Sequence, residues 1–444
     1  MPSPNGPRSW LPGGHLRSLQ YRPLQFLSAL ARDYGDASRF KIGPQRVFFF
    51  AHPDQVRDVL VVRNSSFIKG LALQRTRVVL GKGLLTSEGE LHKRQRRLAQ
   101  PAFHRERIRR YGEVMIDKAL RTRERWRDGE ELDVAHEMMR LTLAVVAQTL
   151  FDADVDRDAD DIGAALTELM LMFPLLVHPL GTAMLRFPIL PKVRRFRRAL
   201  GLLDRTIYSI IAERRRTSVD RGDLLSMLIM ATDVEGDGGG MSDLQLRDET
   251  MTLFLAGHET TANALAWTWY LLARNPHIER ELHREIDEVL GGRTPSPDDY
   301  PRLPYTEMVL AESMRLRPPA WGIGRFASEE VRIGEWDVPA KGLVLVSQWV
   351  THRDPRFWPD PERFDPLRFT PDAKGARPKM AYFPFGAGPR ICIGESFAWM
   401  EGVLLLATIA QRWKFEKGPD VDPQALLTLR PKGPMRMRIV RRVQ

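Results

Sequence analysis

Apolar and polar positions follow two different periods along this chain. From about residue 89 to residue 230, apolar side chains recur every three or four positions, which predicts a series of α-helices. Residues 22–48 predict one helix followed by two short strands, and strand patterns return at about 325–350 and 425–440. The pattern therefore predicts an α+β fold that is mainly α, with small β-sheets.

The most apolar segment covers residues 251–273, and it predicts one long central helix. A glycine-rich loop is expected at 233–240, and Ser242 is a suitable N-cap for the helix that follows. A membrane span is the alternative interpretation, but His258 and Glu259 lie near the middle of the segment. A charge at that depth in lipid would cost about 3 kcal/mol, so a helix buried inside a large protein is favoured.

Small side chains occupy one face of this predicted helix. Ala256, Thr260 and Ala264 are spaced at i, i+4 and i+8, with Gly257 alongside, which leaves room for a flat ligand and a small molecule above it. Glu259 and Thr260 would supply an acid and a hydroxyl next to that space. A mid-helix threonine can also hydrogen-bond to the carbonyl four residues earlier, so Thr260 has a structural interpretation as well.

Composition indicates one large globular unit. The 444 residues are 43% hydrophobic, which is enough for a sizeable core, and no linker interrupts them. One cysteine excludes an internal disulfide and is typical of a cytoplasmic protein. The first residues, MPSPNGPR, contain no apolar run of the kind found in signal peptides or membrane anchors. We therefore expect a single domain over 1–444, with no transmembrane anchor.

The formal net charge of +11 raises the alternative of a nucleic-acid-binding protein. The basic residues are spread along the chain, however, and no zinc-finger spacing or basic-aromatic RNA motif is present. We therefore expect no nucleic-acid partner. The charge is better explained by a solvated surface with one patch for an acidic protein partner.

The single cysteine, Cys392, lies in the run FGAGPRICIG at 385–394, directly before an apolar segment at 395–406 that predicts a buried helix. A helix N-terminus favours an anion, and thiolate is the form of cysteine that binds metal. Three glycines would let the backbone approach a large flat group, and Arg390 offers a positive charge to an acidic group on it. The alternative is a buried structural cysteine.

This run matches F-x-x-G-x-R-x-C-x-G, and the chain thereby resembles the cytochrome P-450 family. Three further family motifs occur in the expected order, AGHETT at 256–261, ESMR at 312–315 and PERF at 361–364. The resemblance extends over nearly the whole chain. It implies the cytochrome P-450 fold, with haem b buried between the long central helix and the Cys-loop helix, and Cys392 as the axial iron ligand.

The resemblance also implies a reaction, the insertion of one oxygen atom from O2 into a hydrophobic small molecule by hydroxylation or epoxidation. It assigns Thr260 and Glu259 to proton delivery, a form of general acid catalysis. Peroxide-driven members typically lack this pair, so an O2-dependent monooxygenase is favoured. A peroxide-driven haem enzyme and a non-enzymatic haem-binding sensor or electron carrier are the alternatives.

Basic residues at family positions are expected to bind the haem propionates, although each could be an ordinary surface base. His92 and Arg96 are four residues apart near a helix start, and Arg325 resembles a further propionate ligand. The residues expected to bind the cofactor are His92, Arg96, Ala256, Gly257, Arg325, Phe385, Arg390 and Gly394.

Glu312 and Arg315 are three residues apart on the apolar side of a predicted helix. An exposed pair of this kind contributes under about 1 kcal/mol, but an unpaired charge on an apolar face would be costly. The resemblance implies a buried network in which Arg363 joins the pair and holds the Cys loop. These three residues are expected to be structural.

The family's pocket segments are apolar here, which predicts an apolar substrate such as a fatty acid, terpenoid, steroid or polyketide. The residues expected to line the pocket are Leu71, Leu73, Met172, Phe173, Phe254, Leu255, Ile323 and Leu427. We expect no fused reductase. Electrons from NAD(P)H are therefore expected through a separate ferredoxin or flavodoxin with its reductase.

Overall fold

The structure is a computed structural model that describes residues 2–153, 159–178, 181–185, 187, 189–217, 219, 221–231 and 240–442. Its α-helices are α1 (Leu16–Tyr21), α2 (Pro23–Tyr34), α3 (Pro53–Arg57), α4 (Leu71–Arg75), α5 (Arg77–Leu80), α6 (Gly89–Ala99), α7 (Arg105–Arg125), α8 (Val134–Phe151), α9 (Ala159–Leu171), α10 (Phe173–Val177), α11 (Gly181–Met184), α12 (Pro191–Thr217), α13 (Leu224–Met230), α14 (Asp243–Leu272), α15 (Pro276–Leu290), α16 (Pro304–Leu316), α17 (Gln348–Thr351), α18 (Pro371–Gly375) and α19 (Glu395–Ala410).

The strands are short and come mostly from the two ends of the chain. They are β1 (Ala37–Ile42), β2 (Gln45–Phe50), β3 (Phe67–Lys69), β4 (Glu131–Asp133), β5 (Ile323–Ala327), β6 (Val331–Ile333), β7 (Trp336–Val338), β8 (Leu343–Val346), β9 (Trp413–Phe415), β10 (Pro423–Ala425), β11 (Leu429–Pro431) and β12 (Arg436–Arg441). This arrangement confirms the mainly α fold with small sheets. Of the loop expected at 233–240, only Gly240 is among the described residues.

Helix α14 is the centre of the helical part. The Ser242 side chain caps it by accepting a hydrogen bond from the Gln245 N–H at 3.2 Å, as its N-cap pattern predicts. The helix is 30 residues long, and most of its residues are buried among α8, α12, α16 and α19. A helix that is apolar on nearly every side can only be stable in such an enclosed position. Within the described residues, no helix is long and apolar enough to cross a membrane.

Helix α19 lies against α7, α14 and α16, and the Cys392 loop leads directly into its N-terminus. Gly402 allows its close approach to α16, because a Cβ added there would lie 2.4 Å from Leu310 Cδ2. A larger side chain at this position would push the two helices apart. The apolar segment that predicts a buried helix after Cys392 therefore forms that helix.

The largest sheet has five strands in the order β1-β2-β8-β5-β3. Strands β2 and β8 are parallel, and the antiparallel pair β3 and β5 places Lys69 directly opposite Arg325. Like charges directly opposite each other across a strand pair are destabilising. This register therefore brings together two positive charges that need a counter-ion.

Candidate active site

Cys392 lies two residues before Gly394, the N-cap of α19. Its backbone N–H donates to the Phe385 carbonyl at 3.0 Å, and its side chain is exposed. Burial by the surrounding protein nevertheless raises the pKa of the thiol to about 11, although the Gly394 N–H lowers it in part. The N–H at the helix N-terminus therefore favours the thiolate, as expected from sequence, but the effect of burial is larger. A coordinating metal ion would deprotonate the thiol.

Two of the three loop glycines are required by the conformation and packing of the backbone rather than by space around the sulfur. Gly386 and Gly388 have φ of +73° and +70°, which other residues rarely adopt. A Cβ on Gly388 would also lie 2.1 Å from the Leu60 carbonyl oxygen. Only at Gly394 would an added Cβ approach the Cys392 sulfur, at 3.9 Å. Of the three glycines expected to clear space around the sulfur, two are instead explained by turn geometry and by packing against Leu60.

The expected propionate ligands converge on one region. Burial, together with the positive charges of Arg390, Lys69 and Arg96, lowers the pKa of His92 to about 3. The imidazole is therefore neutral at physiological pH. Arg96 donates to the Ile391 carbonyl at 2.7 Å, next to Cys392. The structure thus brings His92, Arg96 and Arg390 close to the cysteine loop.

Arg325 is a buried arginine of this group with few hydrogen-bond partners. Its side chain is buried, and burial together with Arg390 lowers its pKa to about 10, so it stays charged. Within the described residues, its guanidinium donates one hydrogen bond, to the Gly324 carbonyl at 3.1 Å. A buried guanidinium with five donors and one neutral acceptor is an unusual arrangement for a structural residue. It fits an anionic ligand.

Lys69 completes the basic cluster, which we define as Lys69, His92, Arg96, Arg325 and Arg390. The Lys69 ammonium donates to the carbonyls of Leu84 and Ser87 at 2.9 and 2.8 Å, and burial lowers its pKa to about 7.

Among the described residues, one carboxylate, that of Glu88, is hydrogen-bonded to the basic cluster. Of the three arginines in the cluster, only Arg390 is paired with this acid. Arginine binds carboxylates well because its donors match their geometry. The excess of positive charge fits a cofactor with two carboxylates, such as haem.

The middle of helix α14 is buried except for one accessible turn. Ala256 is exposed, and Gly257 and Thr260 are partly exposed, whereas their neighbours on the helix are buried. The Thr260 hydroxyl donates to the Ala256 carbonyl at 2.7 Å, which is the hydrogen bond of its structural interpretation. The small-residue face expected from sequence is therefore accessible at 256–260, whereas Ala264 is buried.

Glu259 points to a different side of α14 from Thr260. Its carboxylate lies 3.2 Å from the Arg430 guanidinium, and it accepts hydrogen bonds from Thr428 at 2.8 Å and from Asn263 at 3.2 Å. Adjacent residues on a helix are about 100° apart, so the two side chains face different neighbours. The structure places the acid against β11 and not directly beside the accessible turn.

Glu312 and Arg315 form a fully buried pair with 0% exposure of both side chains. Two parallel hydrogen bonds of 2.7 and 2.8 Å join them. Arg315 also donates to the His352 carbonyl at 2.9 Å, and the His352 ring accepts from the Phe383 N–H at 3.0 Å. The pair is thereby connected to the residues that precede the Cys392 loop.

The expected role of Arg363 needs a correction. Its side chain is exposed, and only its carbonyl oxygen joins the network, by accepting from Arg315 at 3.1 Å. The second guanidinium near Glu312 belongs to Arg368, at 3.5 Å, and the Asp365 N–H donates to the same carboxylate. The PERF segment therefore contributes through its backbone, because the chain turns its arginine side chain outwards.

The expected pocket residues fall into two groups. Phe254 packs against Phe151 of α8, on the side of α14 opposite to Ala256, and it is a core residue and not a pocket residue. Met172 and Leu255 are likewise buried in the core. The remaining residues are exposed or partly exposed, as a pocket lining requires, and these are Leu71, Leu73, Phe173, Ile323 and Leu427.

Several residues of the site have no local signal in the sequence. Lys69 and Glu88 belong to a strand and a loop that are distant from Arg390 in the chain. Thr428 directly precedes β11 and Arg430 lies in it, 169 residues or more from Glu259. Each looks like an ordinary polar residue of its own segment. Only the tertiary contacts reveal them.

Comparison with known proteins shows the family to which this chain belongs. Residues 4–436 match the profile of the family described as cytochrome P450. Cyclooctatin synthase of Streptomyces melanosporofaciens is 41% identical over 437 residues, covering 96% of this chain and 92% of that protein. Cyclooctat-9-en-7-ol 5-monooxygenase of the same organism is 39% identical, over 91% of this chain and 88% of that protein. Pentalenene oxygenase of Streptomyces avermitilis is 36% identical, over 97% of this chain and 95% of that protein. This chain belongs to the cytochrome P450 family and is a P450 monooxygenase.

Proposed function

We propose that this monooxygenase binds one haem b through Cys392 and oxidises a cyclic terpenoid. When bound, haem supplies the activation of O2, aided by electron density from the thiolate ligand. The observation that carries this proposal is the buried and under-satisfied Arg325 in the same basic cluster as Arg390, next to the accessible cysteine. An oxygen-activating cofactor with two carboxylates accounts for all of these features together.

The basic cluster would bind the two carboxylates of the cofactor. Arg325 and Arg390 would supply charged donors, and neutral His92 would donate a single N–H. Charge-assisted hydrogen bonds of this kind contribute about 1.5–3 kcal/mol each. Phe385 and Gly394 of the cysteine loop, and Ala256 and Gly257 of α14, would contact the ring of the cofactor.

Thr260 and Glu259 would move protons during the reaction. The Thr260 hydroxyl lies on the accessible turn of α14, where it would hold a proton and deliver it to the cofactor site. Glu259 is held by Arg430 and Thr428, and it would replenish Thr260 after a rotation of its side chain or through an intervening water. General acids placed in this way contribute about 100-fold or more to rate.

The substrate class is proposed from the relatives and the pocket together. The relatives' names specify pentalenene and cyclooctat-9-en-7-ol as substrates. Partly exposed Leu73, Phe173, Ile323 and Leu427 would offer an apolar lining to such a molecule. A cyclic terpenoid is therefore favoured over a fatty acid, steroid or polyketide.

We further propose that the chain is a single monooxygenase domain in the cytoplasm that receives electrons from a separate ferredoxin or flavodoxin. Lys93 on α6 is mostly exposed and pairs with Glu90, whereas Arg94 contacts Gln245 and Gly240 of the α14 region. An acidic partner would be steered to the exposed basic residues of α6, and this attraction would weaken with salt.

Two measurements test the proposed function. The ferrous-CO spectrum of the purified protein should show the red-shifted band of a thiolate-ligated haem. Titration with cyclic terpenoids should then shift the ferric spin state, and turnover with a ferredoxin system and O2 should give a mono-oxygenated product. A histidine-type CO band would contradict Cys392 ligation, and a thiolate band without any turnover would favour a sensor or electron carrier. Product formed only with added peroxide would favour a peroxide-driven enzyme.

A further inference from the structure

We propose that Glu88 is a positioning residue that competes with the cofactor for Arg390 and so sets the charge balance, and with it the reduction potential, of the site. This inference rests on the proposed haem site. Glu88 is outside the family motifs, and the functions argued above make no use of its carboxylate.

The contacts of Glu88 place a negative charge within the basic cluster. One carboxylate oxygen accepts from the Arg390 guanidinium at 2.5 Å, and the other accepts from the Lys69 backbone N–H at 2.6 Å. The side chains of Arg390 and Glu88 are only 16% and 22% exposed, so solvent screens their interaction incompletely. Burial and Arg390 lower the pKa of Arg325, and the negative charge of Glu88 partly offsets this lowering.

The position of Glu88 in the chain does not require an acid. It is the N-cap residue of α6, but its side chain makes no capping hydrogen bond to that helix. N-cap positions favour short side chains such as Ser, Thr, Asp and Asn, which can reach their own helix. The longer glutamate reaches instead from α6 to the Cys392 loop and to β3. Its chemistry is therefore directed at the cofactor site.

A carboxylate in this place has two consequences for a bound haem. A propionate that binds Arg390 must share that guanidinium with Glu88, and two nearby carboxylates repel each other. The propionate is therefore held less tightly than the basic cluster alone would allow. One-electron reduction adds a negative charge to the haem, so the negative charge of Glu88 also disfavours the reduced form and lowers the reduction potential.

The experiment compares two glutamate-to-glutamine substitutions, one at the N-cap of α6 and one in its first turn. Glu88→Gln keeps the side-chain length and an oxygen acceptor for the Lys69 N–H but removes the charge. Glu90→Gln is the matched control, because Glu90 lies two residues away, is 86% exposed and pairs with Lys93. Reduction potentials are measured by spectroelectrochemical titration of the haem-loaded proteins, and haem release is measured by transfer to apomyoglobin.

We expect Glu88→Gln to raise the ratio of reduced to oxidised haem at a fixed applied potential by about 3- to 10-fold. That corresponds to an increase of about 30–60 mV for a one-electron couple. Haem release should slow several-fold, because Arg390 then serves the propionate alone. Glu90→Gln should change the ratio less than about twofold, since an exposed charge is screened.

A potential equal to that of the wild type in folded Glu88→Gln protein would overturn the proposal, and Glu88 would then be only a contact that fastens β3. Should Glu88→Gln fail to fold, Glu88→Asp decides the question. The shorter acid withdraws its charge from Arg390, so its potential must lie above the wild-type value, and an unchanged potential overturns the proposal. A wild-type protein without a thiolate CO band would instead contradict the proposed function.

Discussion

Arg315 and Arg325 are both buried arginines, but their surroundings differ completely. Arg315 makes two hydrogen bonds to Glu312 and further bonds to three backbone carbonyls. Arg325 makes one bond, to a neighbouring carbonyl, and faces Lys69 across the sheet. A buried charge that the protein satisfies completely holds the fold together. One that the protein leaves unsatisfied is available to a ligand.

The strongest test of this comparison removes the partner of Arg315. Glu312→Ala leaves a buried guanidinium without its carboxylate, and it should destabilise the protein by about 3–5 kcal/mol. Thermal or denaturant unfolding of the purified variant measures this loss. Arg363→Ala is the control, because its side chain is exposed and should change stability by less than about 1 kcal/mol. Equal stabilities of the two variants would contradict the structural role of the pair.

Arg325→Met should behave in the opposite way. The apoprotein should be as stable as the wild type or more so, because the repulsion from Lys69 and Arg390 is removed. Haem affinity should fall about 10- to 100-fold with the loss of a charge-assisted contact. Haem transfer and apoprotein unfolding measure the two effects separately. Arg332→Met, which removes an exposed arginine on β6, should change neither. A destabilised apoprotein with normal haem retention would make Arg325 a structural residue.

Thr260 and Thr268 allow the same distinction between site and scaffold within one helix. Both hydroxyls donate to the carbonyl four residues earlier at 2.7 Å. Thr268 is fully buried, whereas Thr260 lies on the accessible turn and is partly exposed. Thr260→Ala should lower product formed per NAD(P)H consumed by about tenfold or more and increase peroxide. Thr268→Ala should keep that ratio. Equal ratios in both variants would reduce Thr260 to a helix-packing residue.

Glu401 on α19 tests the effect of a buried carboxyl on the pH dependence of stability. Burial raises its pKa to about 8, although the Thr261 hydroxyl lowers it in part. In the unfolded chain the pKa is near the ordinary value of 4.5. Between these two values, the folded protein keeps a proton that the unfolded chain releases, so this contribution to stability falls as pH rises.

Glu401→Gln removes this titration and keeps the size of the side chain. The melting temperature of the variant relative to the wild type should therefore increase from about pH 5 to about pH 8. Thermal unfolding of both proteins across this range is the measurement. A difference that is independent of pH would show that Glu401 has an ordinary pKa.

Local patterns in the chain were sufficient to predict the helical character, the central helix and the cysteine loop. Ser242 and the apolar residues after it specify α14, because capping and burial act on neighbouring residues. The apolar stretch after Cys392 specifies α19 in the same way. The spacing of Glu312 and Arg315 likewise predicts a pair, because residues three apart on a helix are neighbours.

Contacts between distant segments decided the rest. Only the folded chain places Lys69 opposite Arg325, Glu88 beside Arg390 and Arg430 against Glu259. The tertiary structure also determines the outward orientation of Arg363 and the burial of Phe254, because the direction of a side chain depends on which segment packs next to it. Electrostatic interactions act through space and not along the chain, so the charge balance of the site is a property of the tertiary structure.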